Sequence, residues 1–187
     1  MTILNVRDAN SGNFVAIDLE APVGIVYVND YNNSSIIPVN MGGGLIFGSL
    51  FGDDISQVIT IASGNVYYKV TASLSSGICH GFTFQNNSEL VCTVAGVYGT
   101  SWNMSLTSAT ANESVSGTIM INNTEVHAAE ADGDSINVNR QVSVGGGTAV
   151  SLNVGDRVGL AVQNESGAHN ITVRHANLFL WRLGTIT

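Results

Sequence analysis

The sequence predicts an all-β protein, an antiparallel sandwich of the jelly-roll kind. Three observations predict it. Apolar residues recur with a period of two, and no segment sustains the 3.6-residue apolar stripe of a helix. Short apolar runs are broken at even intervals by Asn, Gly and Ser clusters, the alternation of strands and turns found in sandwiches. Composition agrees: of 187 residues 44% are hydrophobic and 11% charged, with 21 Gly and 2 Pro, enough apolar surface for one domain or one domain with an arm.

Along the chain, "ILNVRDANSGNFVAIDL" reads as a hairpin turning at Asn10-Ser11-Gly12, followed by a strand "GIVYVND", a loop "NNSS", a short piece "IIPVN" and "MGGG". "NVYYKV" carries apolar groups on both faces, Val66, Tyr68 and Val70 against Tyr67 and Lys69. "CHGFTFQNNSELVC" is a hairpin; with Asn86-Asn87 as a two-residue turn, Gly81 faces Cys92 and Cys79 falls two residues out of register. That geometry favours two buried free thiols over a disulfide. In "VYGTSWNMSLT" Tyr98, Thr100, Trp102, Met104 and Leu106 share one face and Gly99, Ser101, Asn103 and Ser105 the other, as in a half-buried antiparallel strand. "GTIMINNTEV" turns at Asn122-Asn123, because Asn tolerates positive φ. "EVHAAEADGDS" holds at most a turn or two of helix before a solvated loop. "NVNRQVSVGGGTAVSLNVGDRVGLAVQN" reads as strand, glycine loop, short strand, Gly155-Asp156 turn and strand.

The closing "ITVRHANLFLWRLG" differs from the other strands. Leu178, Leu180 and Arg182 lie on one face; Asn177, Phe179, Trp181 and Leu183 lie on the other. Large apolar groups on both faces require cover on both. In a protein whose strands are otherwise one-sided, the second cover is expected to be another subunit.

From about residue 55 the order of these features resembles the C1q/TNF-like jelly-roll family. The matching pieces are "NVYYKV", the block Leu90 to Tyr98 (L-x-x-x-V-A-G-V-Y), "GTIMINNTEV", Leu152 to Val158 (L-x-x-G-D-x-V) and the closing strand. The final "HANLFLWRLG" is most similar to a branch found in bacteriophage structural proteins. The resemblance implies a ten-strand-type jelly roll over residues 55–187, packed as a homotrimer with the closing strand near the interface, and no enzyme. Tyr67, Tyr68, Phe179 and Trp181 are the candidate interface residues. Residues 1–54 fall outside the match and resemble short N-terminal strands of phage fibre and tail proteins. They read as an attachment arm or small β subdomain, with Val23, Ile25, Val26, Tyr27 and Val28 contacting a partner and Gly42 to Gly44 as a joint.

Candidate chemistry is sparse. His175 and Arg174 are strand neighbours and so point to opposite faces unless a bulge intervenes, and nothing nearby in sequence offers His175 an acid or nucleophile. Glu130, Asp132 and Asp134 place carboxylates on alternate residues, the oxygen chemistry calcium uses, yet the further ligands of an EF-type loop are missing. His127 with Glu125 is too few ligands for zinc. "MGGGLIFGS" and "VGGGTAV" lack the G-K-[ST] ending of a phosphate loop. No catalytic residue, metal or cofactor is therefore expected. With six Lys and Arg and a net charge of −8, the chain cannot neutralise many phosphates, which argues against nucleic acid and against an anionic membrane surface. The first dozen residues have no basic start followed by an apolar core, so no signal peptide is expected.

The expected function is a bacteriophage virion structural protein: a homotrimeric capsid decoration or head-accessory protein, assembled in the host cytoplasm and attached through its arm to the major capsid protein or another virion protein. The alternative is a receptor- or carbohydrate-binding tip of a fibre.

Overall fold

A computed structural model describes residues 3–7, 14–18, 25–30, 35–40, 45–71 and 73–185. The chain divides into two compact units, Met1–Leu45 and Ile46–Thr187. In the first, β1 (Ile3–Arg7) pairs antiparallel with β2 (Phe14–Asp18), and β3 (Ile25–Asp30) pairs with β4 (Ser35–Asn40). Both are two-stranded, so Pro38, which cannot donate to a ladder, sits opposite Tyr27 without interrupting a larger sheet. Ile25, Val26, Tyr27 and Val28 lie on β3. Val23, the turn at residues 10–12 and the Gly42–Gly44 joint fall outside the described residues.

The second unit is a sandwich of two antiparallel sheets. Its elements are β5 (Phe47–Gly52), β6 (Gln57–Ile59), β7 (Tyr68–Lys69), β8 (Ser75–His80), β9 (Phe82–Gln85), β10 (Glu89–Cys92) and β11 (Gly96–Ser108). There follow β12 (Glu113–Ile121), β13 (Thr124–Glu125), β14 (Ala131–Ser135), β15 (Gln141–Gly146), β16 (Ala149–Leu152), β17 (Arg157–Asn164) and β18 (Ile171–Gly184). One sheet runs β13-β12-β17-β10-β9, with β14 beside β12 and β7 beside β17. The other runs β15-β11-β18-β5-β8, with β16 beside β11 and β6 beside β18. Neighbours distant in sequence, such as β18 between β11 and β5, are the crossovers of a jelly roll. Among the described residues no helix is long and apolar enough to cross a membrane; the one helical piece is a single 3₁₀ turn, His127–Ala129.

Alternation places the core between the sheets. Tyr98, Trp102, Met104 and Leu106 of β11 and Leu178 and Leu180 of β18 face Leu90, Val115, Ile119, Leu160 and Val162 of the opposite sheet, all buried. Trp102 is anchored inside by its indole N–H, which donates to the Ala129 carbonyl at 3.0 Å.

Four expectations need correction. The jelly roll starts at Ile46, not at residue 55. β5, with its Gly and Ser between Phe47, Leu50 and Phe51, pairs with β18 over Phe47–Trp181 to Gly52–Ala176 and so is an integral strand of the sheet. The "FTFQNNSELV" hairpin closes through three residues. Asn86 and Asn87 both take positive φ, 53° and 51°, and Ser88 completes the loop, so Cys92 faces Phe82 rather than Gly81. Both cysteines are free, Cys92 buried and Cys79 half-buried. "ADGDS" is strand β14, not loop: it pairs with β12 from Glu113–Ser135 to Gly117–Ala131. Finally, β18 carries a bulge. Ser105 pairs with His175 and Leu106 with Val173, which leaves Arg174 as the extra residue. The Asn122-Asn123 turn is the two-residue hairpin the sequence predicts, with Ile121 opposite Thr124 and φ of 52° and 66°.

Candidate interaction face and polar clusters

The outer face of the β15-β11-β18-β5-β8 sheet carries the most unusual surface of the second unit. Cross-strand register puts Trp181 beside Phe47 and Gly99, Phe179 beside Ser49 and Ser101, and Asn177 beside Phe51 and Asn103. Phe47, Phe51, Phe179 and Trp181 therefore point the same way, away from the core. Phe179 is 41% exposed, Trp181 37% and Phe51 46%; Leu183 at the strand's end and Ile78 on edge strand β8 are more exposed still. The rings form one array. Phe179 stacks on Trp181, centroids 5.6 Å apart at 22°, and Phe47 sits tilted 6.4 Å from both Phe179 and His80.

Gly99 explains why the indole lies flat. A Cβ at Gly99 would come within 2.5 Å of the Trp181 ring carbons, so only glycine lets the ring rest on the sheet. Toward β11 the face turns polar. Ser101 and Asn103 are exposed, and Asn177 donates its side-chain amide to Asn103 Oδ1 at 2.9 Å.

Of the four residues expected at an interface, the structure brings Phe179 and Trp181 together and sets Tyr67 and Tyr68 apart. Tyr68 lies on β7, which joins the opposite sheet through β17, and Tyr67 immediately precedes it. Tyr68 accepts the Ser63 N–H at 2.9 Å and packs against the core. The Tyr67 oxygen is buried; burial first, then the Glu130 carboxylate beside it, push its phenol above the ordinary range. Tyr67 and Tyr68 are thus packed from within the chain, although Val66 beside them stays exposed, whereas Phe179 and Trp181 of β18 are left open.

The carboxylates distribute differently from their spacing in sequence. Glu130 and Asp132 approach Glu165 at the end of β17, their oxygens within 4.8 Å of one another, while Asp134 lies two positions further along β14. Ser116 donates to Glu165, and Glu130 lies 3.0 Å from His127 Nδ1. Acidic groups clustered at a surface do not of themselves make a cation site, and Glu130 and Glu165 have partners of their own.

A second polar network is structural. Glu89, 4% exposed, is bound by Lys69, by the Asn86 amide at 2.9 Å and by Arg157 Nη1 at 3.3 Å. Burial pushes its carboxyl up, but these three partners outweigh that and hold it below the usual carboxylate range. A group whose folded value is depressed stabilises the fold above its unfolded value and loses that contribution as pH falls. Acid titration is therefore expected to destabilise the wild type more than Glu89→Gln as pH drops below about 4. Urea midpoints across that window check this; parallel losses would contradict it.

Arg174 and His175, expected on opposite faces, are both met by the turn after β5. Arg174 Nη2 lies 3.1 Å from Asp54 Oδ1, and His175 Nδ1 lies 3.0 Å from Asp53 Oδ1. The bulge makes this possible, and it is invisible to simple alternation.

No protein-family model matches the chain, and no curated protein matches it by sequence. Solved structures do. Eiger TNF from S. frugiperda is similar over 76% of this chain and 95% of that one, with a TM-score of 0.54 and 14% identity. Murine APRIL at pH 5.0 is similar over 72% of this chain and 98% of that one, with a TM-score of 0.51 and 8% identity. The globular domain of zebrafish complement 1qA covers 75% of this chain and 99% of its own, at a TM-score of 0.49 and 14% identity. With the two-sheet crossover topology described above, the TNF matches establish the fold of residues 46–187 as a C1q/TNF-like jelly roll.

Proposed function

We propose that this chain is a non-catalytic structural protein that self-associates as a homotrimer through the outer face of the β15-β11-β18-β5-β8 sheet. One observation carries the reading. A sandwich whose core is otherwise well enclosed leaves Phe47, Phe51, Phe179 and Trp181 on one exposed sheet face. A contiguous exposed apolar patch is a mark of an interaction surface. A second copy presents the same chemistry, so self-association covers the patch without a dedicated partner. Burying about 800 Å² per partner suffices for a stable contact, and obligate interfaces bury more. Threefold packing is what the resemblance to C1q/TNF-like proteins implies.

The finer role is that of a bacteriophage virion protein decorating the capsid. The similarity of "HANLFLWRLG" to a phage branch supports it, as does a separate β-rich N-terminal unit of a size suited to attachment on the major capsid protein or another virion protein. Such a protein works mechanically, by clamping neighbours, and resides in the virion. Imaging the virion with the protein labelled tests this: regular positions on the head lattice are expected, and copies confined to the tail tip would refute decoration.

The Phe179–Trp181 stack beside Asn103 and Asn177 also favours a second reading, a carbohydrate-binding tip, since flat aromatic faces with adjacent amides suit sugar rings. A monomer that binds glycans and loses binding in Trp181→Ala would replace the first reading with this one.

A further inference from the structure

We infer that His175 and the Asp53-Asp54 turn form a proton-operated exchange, in which one ring nitrogen trades a backbone partner for a carboxylate. The geometry at Nδ1 carries it. That nitrogen lies 3.2 Å from the Asp54 backbone N–H, which needs an acceptor, and 3.0 Å from Asp53 Oδ1, which is itself an acceptor. A single ring nitrogen cannot satisfy both at once. With the proton on Nε2 alone, the Nδ1 lone pair accepts the Asp54 N–H and the Asp53 carboxylate has no hydrogen from the ring. When the ring takes a second proton, Nδ1–H donates to Asp53 and the Asp54 amide loses its acceptor.

The surroundings make the trade local. The Ile55 N–H donates to the Arg174 carbonyl at 2.9 Å, and Arg174 Nη2 holds Asp54 Oδ1 at 3.1 Å, so the turn stays attached to β18 in both states. The charged groups facing His175 are Asp53 and Asp54 from the turn and Arg174 from its own strand. β11, which lies against it through Ser105, carries one ionisable side chain, Tyr98, which is buried in the core seven positions from Ser105. Asp54 has φ of 46° and Ser56 47°, so the turn is held in a left-handed conformation that its hydrogen bonds must maintain. The turn follows Phe51 by two residues, at the rim of the exposed aromatic face, but the exchange does not depend on self-association.

The test is ¹⁵N NMR of the labelled full chain from about pH 8 to about pH 5, the span in which histidines change charge. At the upper end the His175 Nδ1 resonance is expected in the unprotonated range with Nε2 protonated. On acidification the Asp54 amide proton should shift upfield with the same midpoint as the ring. His175→Asn, which keeps an acceptor near the Nδ1 position but cannot titrate there, should abolish the Asp54 response. A protonated Nδ1 at about pH 8, or an Asp54 amide indifferent to the ring's titration, would overturn the inference.

Discussion

Trp181→Glu is expected to abolish self-association while leaving the jelly roll folded. Trp181 points out of the sheet, is 37% exposed, and rests on Gly99 rather than in the core, so a smaller, charged side chain fits the fold without a clash. In an assembly joined through this face, each copy would bring a carboxylate against Phe47, Phe179 and their counterparts. Desolvating a carboxylate without a cation costs several kcal/mol, and the substitution is repeated at every interface. The direct outer-face neighbours of Trp181, Phe47, Phe179 and Gly99, carry no charge to offset it. A carboxylate introduced instead by Val154→Glu, in the exposed turn before β17, is expected to leave assembly unchanged. Circular dichroism and sedimentation of both variants separate loss of assembly from loss of fold. Intact assemblies of Trp181→Glu would show that this face is not the interface.

The second large effect concerns the fold itself. Trp102→Ala is expected to cost about 3–5 kcal/mol, the range for removing a fully buried large aromatic. The indole is 2% exposed, and it packs so tightly on Gly117 that a Cβ there would lie 2.9 Å from its ring. It also holds β11 to the 3₁₀ turn through the Ala129 carbonyl. Trp102→Phe should cost less, since it keeps most of the volume and loses mainly that hydrogen bond. Urea unfolding followed by circular dichroism measures both, at matched protein concentration because assembly adds to apparent stability. A loss under about 1 kcal/mol for the alanine variant would contradict the packing described.

How much of this was legible follows from what is local. β11 was readable because its two faces differ in chemistry residue by residue, Trp102 and Met104 in, Ser101 and Asn103 out. The Asn122-Asn123 turn was readable because Asn is one of few residues comfortable at positive φ. The Asn86-Asn87 hairpin misled by one position because the same preference holds in two- and three-residue loops, and only the pairing of Leu90 with Phe84 separates them. β5 was hidden by its own glycines. "FGSLFG", just after the Gly42 to Gly44 joint, shows too little side-chain pattern to read as a strand, and its identity as one is set by β18, more than a hundred residues later. β14 was hidden likewise: Asp and Gly disfavour strands in isolation, and pairing with β12 overrides that.

The candidate face was half legible. Two-sided apolar patterning singled out both "NVYYKV" and the closing strand, but cannot tell a cover supplied by the same chain from one supplied by another. For Tyr67 and Tyr68 the cover is internal. For Phe179 and Trp181 it is absent from the chain's own second unit, and Phe47 and Phe51 from the unsuspected β5 enlarge what is left open. The His175 exchange was out of reach, because a single-residue bulge at Arg174 is a property of the pairing and not of the pattern.

Native mass tests the central claim most directly. At low micromolar concentration the full chain is expected at three times its 19.5 kDa monomer mass, with Trp181→Glu at the monomer mass. A wild-type chain that remains a folded monomer at that concentration would contradict the account.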